Sequence, residues 1–236
     1  MSKCLAGAEI AVVIPALNEY DGVGLTIGEA LRSLPSSRVV VIDGRSRDGT
    51  AEVATKWGAA VLSQNGRGKG SALREGLEYL SEISPGPSWL MFCDADYSYP
   101  LGSSPTMLEL LAGDPSVGMV VGDRFSRFGL WNYFGDRYLF GNLVLRWMHR
   151  LLNGVRLEDP LSGLRVLRYE AVKGLELESE GFDIEAELNC HLLARGWRIL
   201  EVPIARRKRI GRKKLKVKDG FTILRRMLKH RFGRGV

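Results

Sequence analysis

Short β-branched runs recur along this chain at intervals filled by helical periodicity, and that alternation restricts the fold more than any other feature. Ile10 to Ile14 and Val39 to Ile42 read as strands bounded by turn residues; between them Leu25, Ala30, Leu31 and Leu34 recur at roughly helical spacing. Asp48 is placed to cap a helix from Thr50 to Trp57, Ala60 to Ser63 reads as a third strand, and Leu73, Leu77 and Leu80 mark one face of a helix over Ser71 to Ile83. Trp89 to Cys93, a helix from Ser103 to Ala112, and Val117 to Val121 continue the series. Repeated βα units predict a mostly parallel sheet with helices on both faces and ligands beyond the C-terminal strand ends. Further on, Leu139 to Leu152 and Ile184 to Arg195 read as helices, the second closed by Gly196, and Leu164 to Arg168 and Arg198 to Ile204 as strands.

At 236 residues, 45% hydrophobic, the chain can bury a sizeable core, and no Pro/Gly/Ser linker or internal repeat divides it. The longest apolar stretches fall well short of the roughly 18 residues a membrane span needs, and Met1 to Glu9 lacks the apolar block of a signal peptide, so a cytoplasmic protein is expected. Cys4, Cys93 and Cys190 are scattered and odd in number, which supports neither a disulfide framework nor a zinc site. Charge is uneven. Residues 205–236 hold 14 Lys/Arg and one acid, Asp219, a local +13 against a total of +7, so residues 1–204 carry 7 − 13 = −6. A catalytic domain over 1–204 with a basic C-terminal helical segment over 205–236 is the expected division, the segment meeting lipid head groups, a phosphorylated substrate or nucleic acid.

The strongest chemical signal is Asp94-Ala95-Asp96 after the apolar strand Trp89 to Cys93. On a turn two such carboxylates can converge on a hard cation, Mg²⁺ or Mn²⁺, which keeps waters and takes phosphate oxygens. A solvated turn is the competing explanation of any DxD, and the strand before it favours the ligand reading. Asp43 is a second strand-end carboxylate, suited to a base or ribose. The loop Gly66-Arg67-Gly68-Lys69-Gly70-Ser71 is flexible and basic enough to meet phosphates but matches neither the P-loop nor the dinucleotide fingerprint.

Taken together, Pro15-Ala16-Leu17-Asn18-Glu19, the Asp43 to Thr50 turn, Gly68-Lys69-Gly70, Asp94/Asp96, Gly122-Asp123-Arg124-Phe125 and Asp159-Pro160-Leu161-Ser162-Gly163-Leu164-Arg165 resemble family 2 inverting glycosyltransferases of the GT-A fold. The dolichyl-phosphate mannose or glucose synthase branch is the most similar, and its order continues through Gly181 to Leu188, Glu201 to Ile204 and Arg209 to Leu215. The resemblance implies a hexose moved with inversion from a nucleotide diphosphate sugar to a polyprenyl phosphate. It puts Pro15, Glu19 and Asp43 around base and ribose with Lys69 near that pocket, and Asp94 and Asp96 on a Mg²⁺ or Mn²⁺ that holds the diphosphate, Asp96 also near the sugar. Several positions depart from the pattern: Arg45 in the turn after the second strand, Ser98 where Gln or His is usual as a further metal ligand, and Lys213 where the family has serine. Branch members often append transmembrane helices and this sequence has none, leaving room for a separate membrane-protein partner.

A phosphate acceptor brings its own anionic oxygen and needs forked cations more than a base. Arg124 and Arg137 are the candidates for that, with Arg209 and Lys214 closing over the donor diphosphate and Asp159 and Ser162 on the acceptor side. Glu185 is the catalytic base if the acceptor is instead a soluble hydroxyl compound, with Glu187 or Glu185 in a supporting role. A nucleic-acid-binding module is disfavoured, because the tail offers only Phe221 and Phe232 for stacking, so no nucleic-acid partner is expected; a sugar nucleotidyltransferase lacks its basic glycine-rich signature. Asp219 to Arg231 forms an amphipathic helix with Phe221, Ile223, Leu224, Met227 and Leu228 on one side. That side either meets an anionic membrane, making the enzyme peripheral at its cytoplasmic face, or packs on the catalytic domain.

Overall fold

The computed structural model describes residues 9–83, 86–126 and 136–233. Cys4 and the middle of the aromatic stretch Phe125 to Tyr138 fall outside them. The elements follow the order β1 (Ile10–Ala16), α1 (Tyr20–Ser33), β2 (Ser37–Asp43), α2 (Thr50–Lys56), β3 (Ala60–Ser63), α3 (Gly68–Ser81), β4 (Trp89–Phe92), α4 (Ser104–Gly113), β5 (Val117–Asp123), α5 (Arg137–Asn153), β6 (Arg165–Arg168), α6 (Tyr169–Val172), α7 (Ile184–Ala194), β7 (Arg198–Pro203) and α8 (Val217–Phe232).

The strands form one sheet in the order β3-β2-β1-β4-β6-β5-β7. Only β6 runs against its neighbours, inserted between β4 and β5; the other pairings are parallel. Parallel strands need helices over both faces, so their residues are apolar on both sides. In β1, Val12 and Ile14 enter one core with Val41, Met91 and Ile27 of α1. Ala11 and Val13 enter the other with Val40, Phe92, Leu73 of α3 and Leu188 of α7. Fully buried aliphatics such as Ile14 and Ile27 each contribute about 1.5–3 kcal/mol relative to exposure.

The helix starts differ from the sequence expectation in one place that matters. Gly68-Lys69-Gly70 is not a free loop but the first turn of α3, held under the chain before α7: Gly70 N–H donates to the Glu180 carbonyl at 2.9 Å. A Cβ at Gly68 or Gly70 would lie 2.3 Å from the Glu180 or Ser179 carbonyl oxygen, so these glycines serve close packing rather than phosphate wrapping.

The amphipathic C-terminal helix docks. Ile223 and Met227 of α8 are buried with Leu145 and Leu152 of α5 and Ala186 of α7, and Leu224 and Leu228 pack at the margin. Arg226, expected on the solvent side, turns onto the 178–187 region, its Nε 3.0 Å from Asp183 and its Nη1 2.8 Å from Glu178. Among the described residues no helix is long and apolar enough to cross a membrane.

Candidate active site

The C-terminal ends of β1, β2 and β4 lie side by side, which brings the turns after them together. Among the described residues the three non-glycine residues with positive φ all fall in those turns: Asn18 (φ 48°), Arg45 (φ 63°) and Tyr97 (φ 59°). Left-handed backbone at such residues persists only where the surroundings over-determine it, and here they do. Asn18 N–H donates to Ser46 Oγ at 2.8 Å and its Oδ1 accepts from Arg47 N–H at 2.9 Å, lacing the first two turns. Arg45 ties the second to the loop after β3 through the Gly66 carbonyl at 3.1 Å. Gly49 rather than Asp48 is the N-cap of α2; Asp48, one residue before it, accepts from Thr50 N–H at 3.1 Å, and its second oxygen accepts from Tyr20 N–H at the head of α1, also at 3.1 Å.

Within this frame Pro15 is the second-last residue of β1, level with Ile42. Asp43, last in β2, is buried; its Oδ2 accepts from Ser46 N–H at 2.9 Å, while Oδ1 has no partner among the described residues. Glu19 Oε2 and Arg209 Nε are buried without partners as well. Such groups cost on the order of 1–3 kcal/mol each when nothing meets them, so three of them in the expected donor pocket mark a surface built for a polar ligand.

Asp94 and Asp96 follow β4 as expected, and each is matched to a cation. Lys69 Nζ lies 2.5 Å from Asp94 and 2.5 Å from Glu185, at the first turn of α7. Lys69, expected near the base and ribose pocket, has as its partners Asp94 of the same expected donor-binding set and the candidate base Glu185. The glycine packing of α3 under residues 179–180 is what carries it there. Although burial opposes its charge, Asp94 and Glu185 hold the Lys69 ammonium well above the usual lysine range. Asp96 Oδ1 accepts from Ser98 Oγ at 2.5 Å and Ser98 N–H at 3.0 Å, and its Oδ2 faces Arg209 at 3.2 Å. Ser98, the expected further ligand, thus orients Asp96.

The basic segment after β7 crosses back over these turns. Arg207 grips Glu29 of α1 at 2.6 and 3.1 Å and lies over the Tyr97 ring, Arg209 lies 3.0 Å from Glu19, Ile210 N–H donates to the Asp96 carbonyl at 2.9 Å, and Lys214 pairs with Glu19. Burial raises the Glu19 pKa, an effect that Lys214 and Arg209 oppose. Arg209 and Lys214 therefore meet on Glu19, and Arg209 also faces Asp96.

On the other side, Arg124 follows β5 and its fork closes on Asp159, Nε to Oδ2 at 2.6 Å and Nη2 to Oδ1 at 2.9 Å, with Tyr99 and Phe125 rings about its guanidinium. Asp159 is held by Glu201, which accepts from its N–H and that of Glu158, both at 2.7 Å. Burial pushes the Glu201 carboxyl up to about 7. Ser162 is buried with its Oγ unpaired among the described residues. Arg137, first in α5, is exposed and lies by the Tyr138 ring; Lys213 Nζ sits 3.1 Å from the same ring's centre. Burial depresses the Lys213 ammonium, and the nearby charges of Arg209, Arg124 and Arg137 depress it further. Glu187 takes the supporting role: its oxygens accept from Glu178 and Ser179 N–H groups, both at 2.9 Å.

Sequence reasoning missed Tyr99, Glu29, Glu201 and the reason for Gly163. The buried Tyr99 hydroxyl, its pKa pushed up to about 12 by burial, accepts from Gly163 N–H at 2.7 Å and fixes the 160–163 turn against Asp94. A Cβ at Gly163 would stand 2.6 Å from Asp94 Oδ2. The two strand-end carboxylates are all-oxygen donors already balanced by Lys69 and Arg209, a set that fits a hard divalent ion completed by water and phosphate oxygens; among the described residues no group of three or more His, Cys, Asp or Glu gathers as a protein-only cage.

The family model described as glycosyl transferase family 2 matches residues 11–170. Glycosyltransferase AglJ of Haloferax volcanii is 33% identical over 196 residues, 82% of this chain and 61% of that relative, so the chain spans less than two thirds of it. The dolichyl-phosphate hexose transferase of the same organism is 30% identical, over 88% of this chain and 86% of its own. Among solved structures, glucosyl-3-phosphoglycerate synthase from Mycobacterium tuberculosis in complex with Mn²⁺, uridine diphosphate and phosphoglyceric acid superposes with a TM-score of 0.77 at 22% identity, covering 99% of this chain and 81% of that one. That likeness shows the GT-A fold, and the family match begins in β1 and runs through β6, across the ends of β1, β2, β4 and β5. The chain belongs to glycosyl transferase family 2.

Proposed function

We propose that this glycosyltransferase moves a hexose from a nucleotide diphosphate sugar to a polyprenyl phosphate, with inversion, at the cytoplasmic surface of an anionic membrane. The observation that carries the acceptor is the use of Glu185. The candidate base is buried and ion-paired to Lys69 at 2.5 Å, whereas Arg209, Arg124 and Arg137 each lie close enough to Lys213 to disfavour its charge. A site with its carboxylate neutralised and its cations gathered suits an acceptor whose oxygen is already an anion. The name of the dolichyl-phosphate hexose transferase supports the lipid phosphate; Mn²⁺ and uridine diphosphate in the mycobacterial synthase structure support the donor and metal.

Asp43 Oδ1 and Glu19 Oε2 take the polar edge of the nucleoside, and Arg209 and Lys214 shift from Glu19 and Asp96 toward the incoming diphosphate. Asp94 and Asp96 hold Mg²⁺ or Mn²⁺, which when bound supplies a Lewis acid for the charge gathering on the leaving diphosphate. Arg124, oriented by Asp159, and Arg137 align the acceptor phosphate. Its oxygen forms the new bond to the anomeric carbon from the face opposite the nucleoside diphosphate, which departs with the electron pair of the broken C–O bond; no proton has to be removed. Lys69 holds Asp94 and Glu185 in place.

The test is transfer from UDP- and GDP-hexoses with Mg²⁺ or Mn²⁺, offered polyprenyl phosphate, phosphoglycerate or a free prenol. Transfer to polyprenyl phosphate alone, with the opposite anomer in the product, is expected. Transfer to phosphoglycerate or the prenol instead would overturn the acceptor.

A further inference from the structure

α5 buries one side, and another carries exposed apolar residues. Leu145 and Leu152 pack on α8 and α7, and Met148 lies against them. Phe140, Val144, Trp147 and Leu151, spaced i, i+4, i+7 and i+11, form a separate stripe, exposed by 47, 43, 56 and 76%. Four large apolar residues in line on one helix are a contiguous patch, unlike the scattered singles of an ordinary surface. α8, packed alongside α5, adds exposed Val217, Phe221 and Phe232.

The charges around the stripe identify what it meets. Across α5 and α8 the exposed ions are all cations, Arg137, Arg150, Lys218, Arg225, Lys229 and Arg231; Lys229 pairs with Glu178, exposed Asp136 caps α5, and the sole acid within the two helices, Asp219, is half-buried. Beside Trp147 a cleft of about 150 Å³ is lined by Arg146, Arg150, Arg156 and Leu157. Arg150 lies over the Trp147 ring at 5.8 Å, and Glu158 engages Arg146 and Arg156 at 2.5 and 2.6 Å. An apolar stripe flanked by cations, with an indole at its edge, matches the boundary between head groups and acyl chains; an apolar protein partner would not need the positive margin.

We propose that α5, with α8 beside it, is a docking face for an anionic phospholipid bilayer, Phe140, Val144, Trp147 and Leu151 entering the acyl boundary and the arginine cleft taking a lipid phosphate. Of the two neighbours expected for the apolar side of the tail helix, Ile223, Leu224, Met227 and Leu228 have the protein core, and Phe221 stays exposed. The proposal deepens the lipid-acceptor reading and rests on it for its purpose, because α5 begins at Arg137 by the acceptor side and would hold that end at the membrane surface.

Vesicle flotation tests the face, with phosphatidylcholine alone and with phosphatidylglycerol added. The full chain should float only with phosphatidylglycerol. Val144→Glu with Leu151→Glu should lower partitioning about tenfold or more, and Arg150→Gln and Arg225→Gln about fivefold each. Quenching of tryptophan emission by brominated lipid should be lost in Trp147→Phe. All these positions lie outside the catalytic machinery, so transfer to a short, water-soluble prenyl phosphate should stay at the wild-type rate. Wild-type binding to neutral vesicles equal to that on anionic ones, flotation of the Val144→Glu/Leu151→Glu variant like wild type, or a dimer in solution that the same variant dissolves would overturn the docking face. Flotation as expected by a wild-type enzyme that glycosylates no prenyl phosphate would instead sink the acceptor assignment and leave the docking face standing.

Discussion

Gly163→Ala offers the sharpest test of the active-site geometry, because the added atom reaches a single functional group. The new Cβ would lie 2.6 Å from Asp94 Oδ2, 2.9 Å from its Cγ and 3.0 Å from Oδ1. Ordinary contact begins near 3.4 Å, so the carboxylate has to retreat by about 3.4 − 2.6 = 0.8 Å. Asp94 is short and anchored to Lys69 at 2.5 Å, which leaves it little freedom to rotate clear. Overpacking of this kind costs about 1–3 kcal/mol, seen as a Tm lowered by roughly 2–4 °C per kcal/mol. A misplacement of 1 Å can cost about 10²-fold in rate, so 0.8 Å scales to roughly 40-fold in kcat/KM. Steady-state kinetics at saturating metal, beside thermal unfolding, would measure both. In an Asp94→Asn background the same glycine change should cost little further activity, since the group it displaces is already disabled. A folded Gly163→Ala enzyme within about threefold of wild type, or full additivity with Asp94→Asn, would refute the assignment of Asp94 to the reacting end of the donor.

Asp96→Ala should abolish metal-stimulated transfer, and chelation by EDTA should silence the wild type; full transfer by the variant in EDTA would rule out the metal role. Arg124→Lys and Arg137→Lys keep charge but lose the fork, so acceptor KM or kcat should worsen by about tenfold with donor affinity intact; calorimetry showing donor binding lost and acceptor kinetics unaltered would reverse the assignment. Glu201, raised from 4.5 to about 7 by burial, retains in the folded state a proton that the unfolded chain releases. Its stabilising contribution is complete below about pH 4.5 and lost as pH rises through about 7. Urea unfolding at pH 5 and pH 8 should therefore show Glu201→Gln gaining on wild type at the higher pH, and a difference independent of pH would count against the raised value.

The strands and helices were legible because their periods are local: both faces of β1 are written in five consecutive apolar residues, and Asp94 and Asp96 announce themselves by following β4. What the sequence hid was which side chains meet across long separations. Nothing near Lys69 in the chain points to Asp94 and Glu185, since that meeting depends on Gly68 and Gly70 fitting beneath residues 179–180. The hold of Arg209 and Lys214 on Glu19 spans 190 and 195 residues. The helical wheel of α8 identified its apolar side, and the choice between protein and membrane as its neighbour rested on α5 and α7, whose bare and covered sides only the assembled fold distinguishes. Tyr99 was invisible for a simpler reason: a buried hydroxyl meeting one backbone N–H leaves no pattern.

The reversed strand β6 also sets the order in which the molecule can be made. β3, β2, β1 and β4 are contiguous in the sheet and all lie within the first 92 residues, so they can pair as they emerge from the ribosome. β5 cannot join them, because its place is beyond β6, whose last residue, Arg168, is synthesised 45 positions after Asp123. At about 5–20 residues per second that leaves the apolar strand Val117–Asp123 without its β6 partner for roughly 2–9 seconds. During that interval its backbone is an open edge, which is the state most exposed to misassociation. Slowing translation between these two strands should increase chaperone dependence, whereas slowing it after β7 should not.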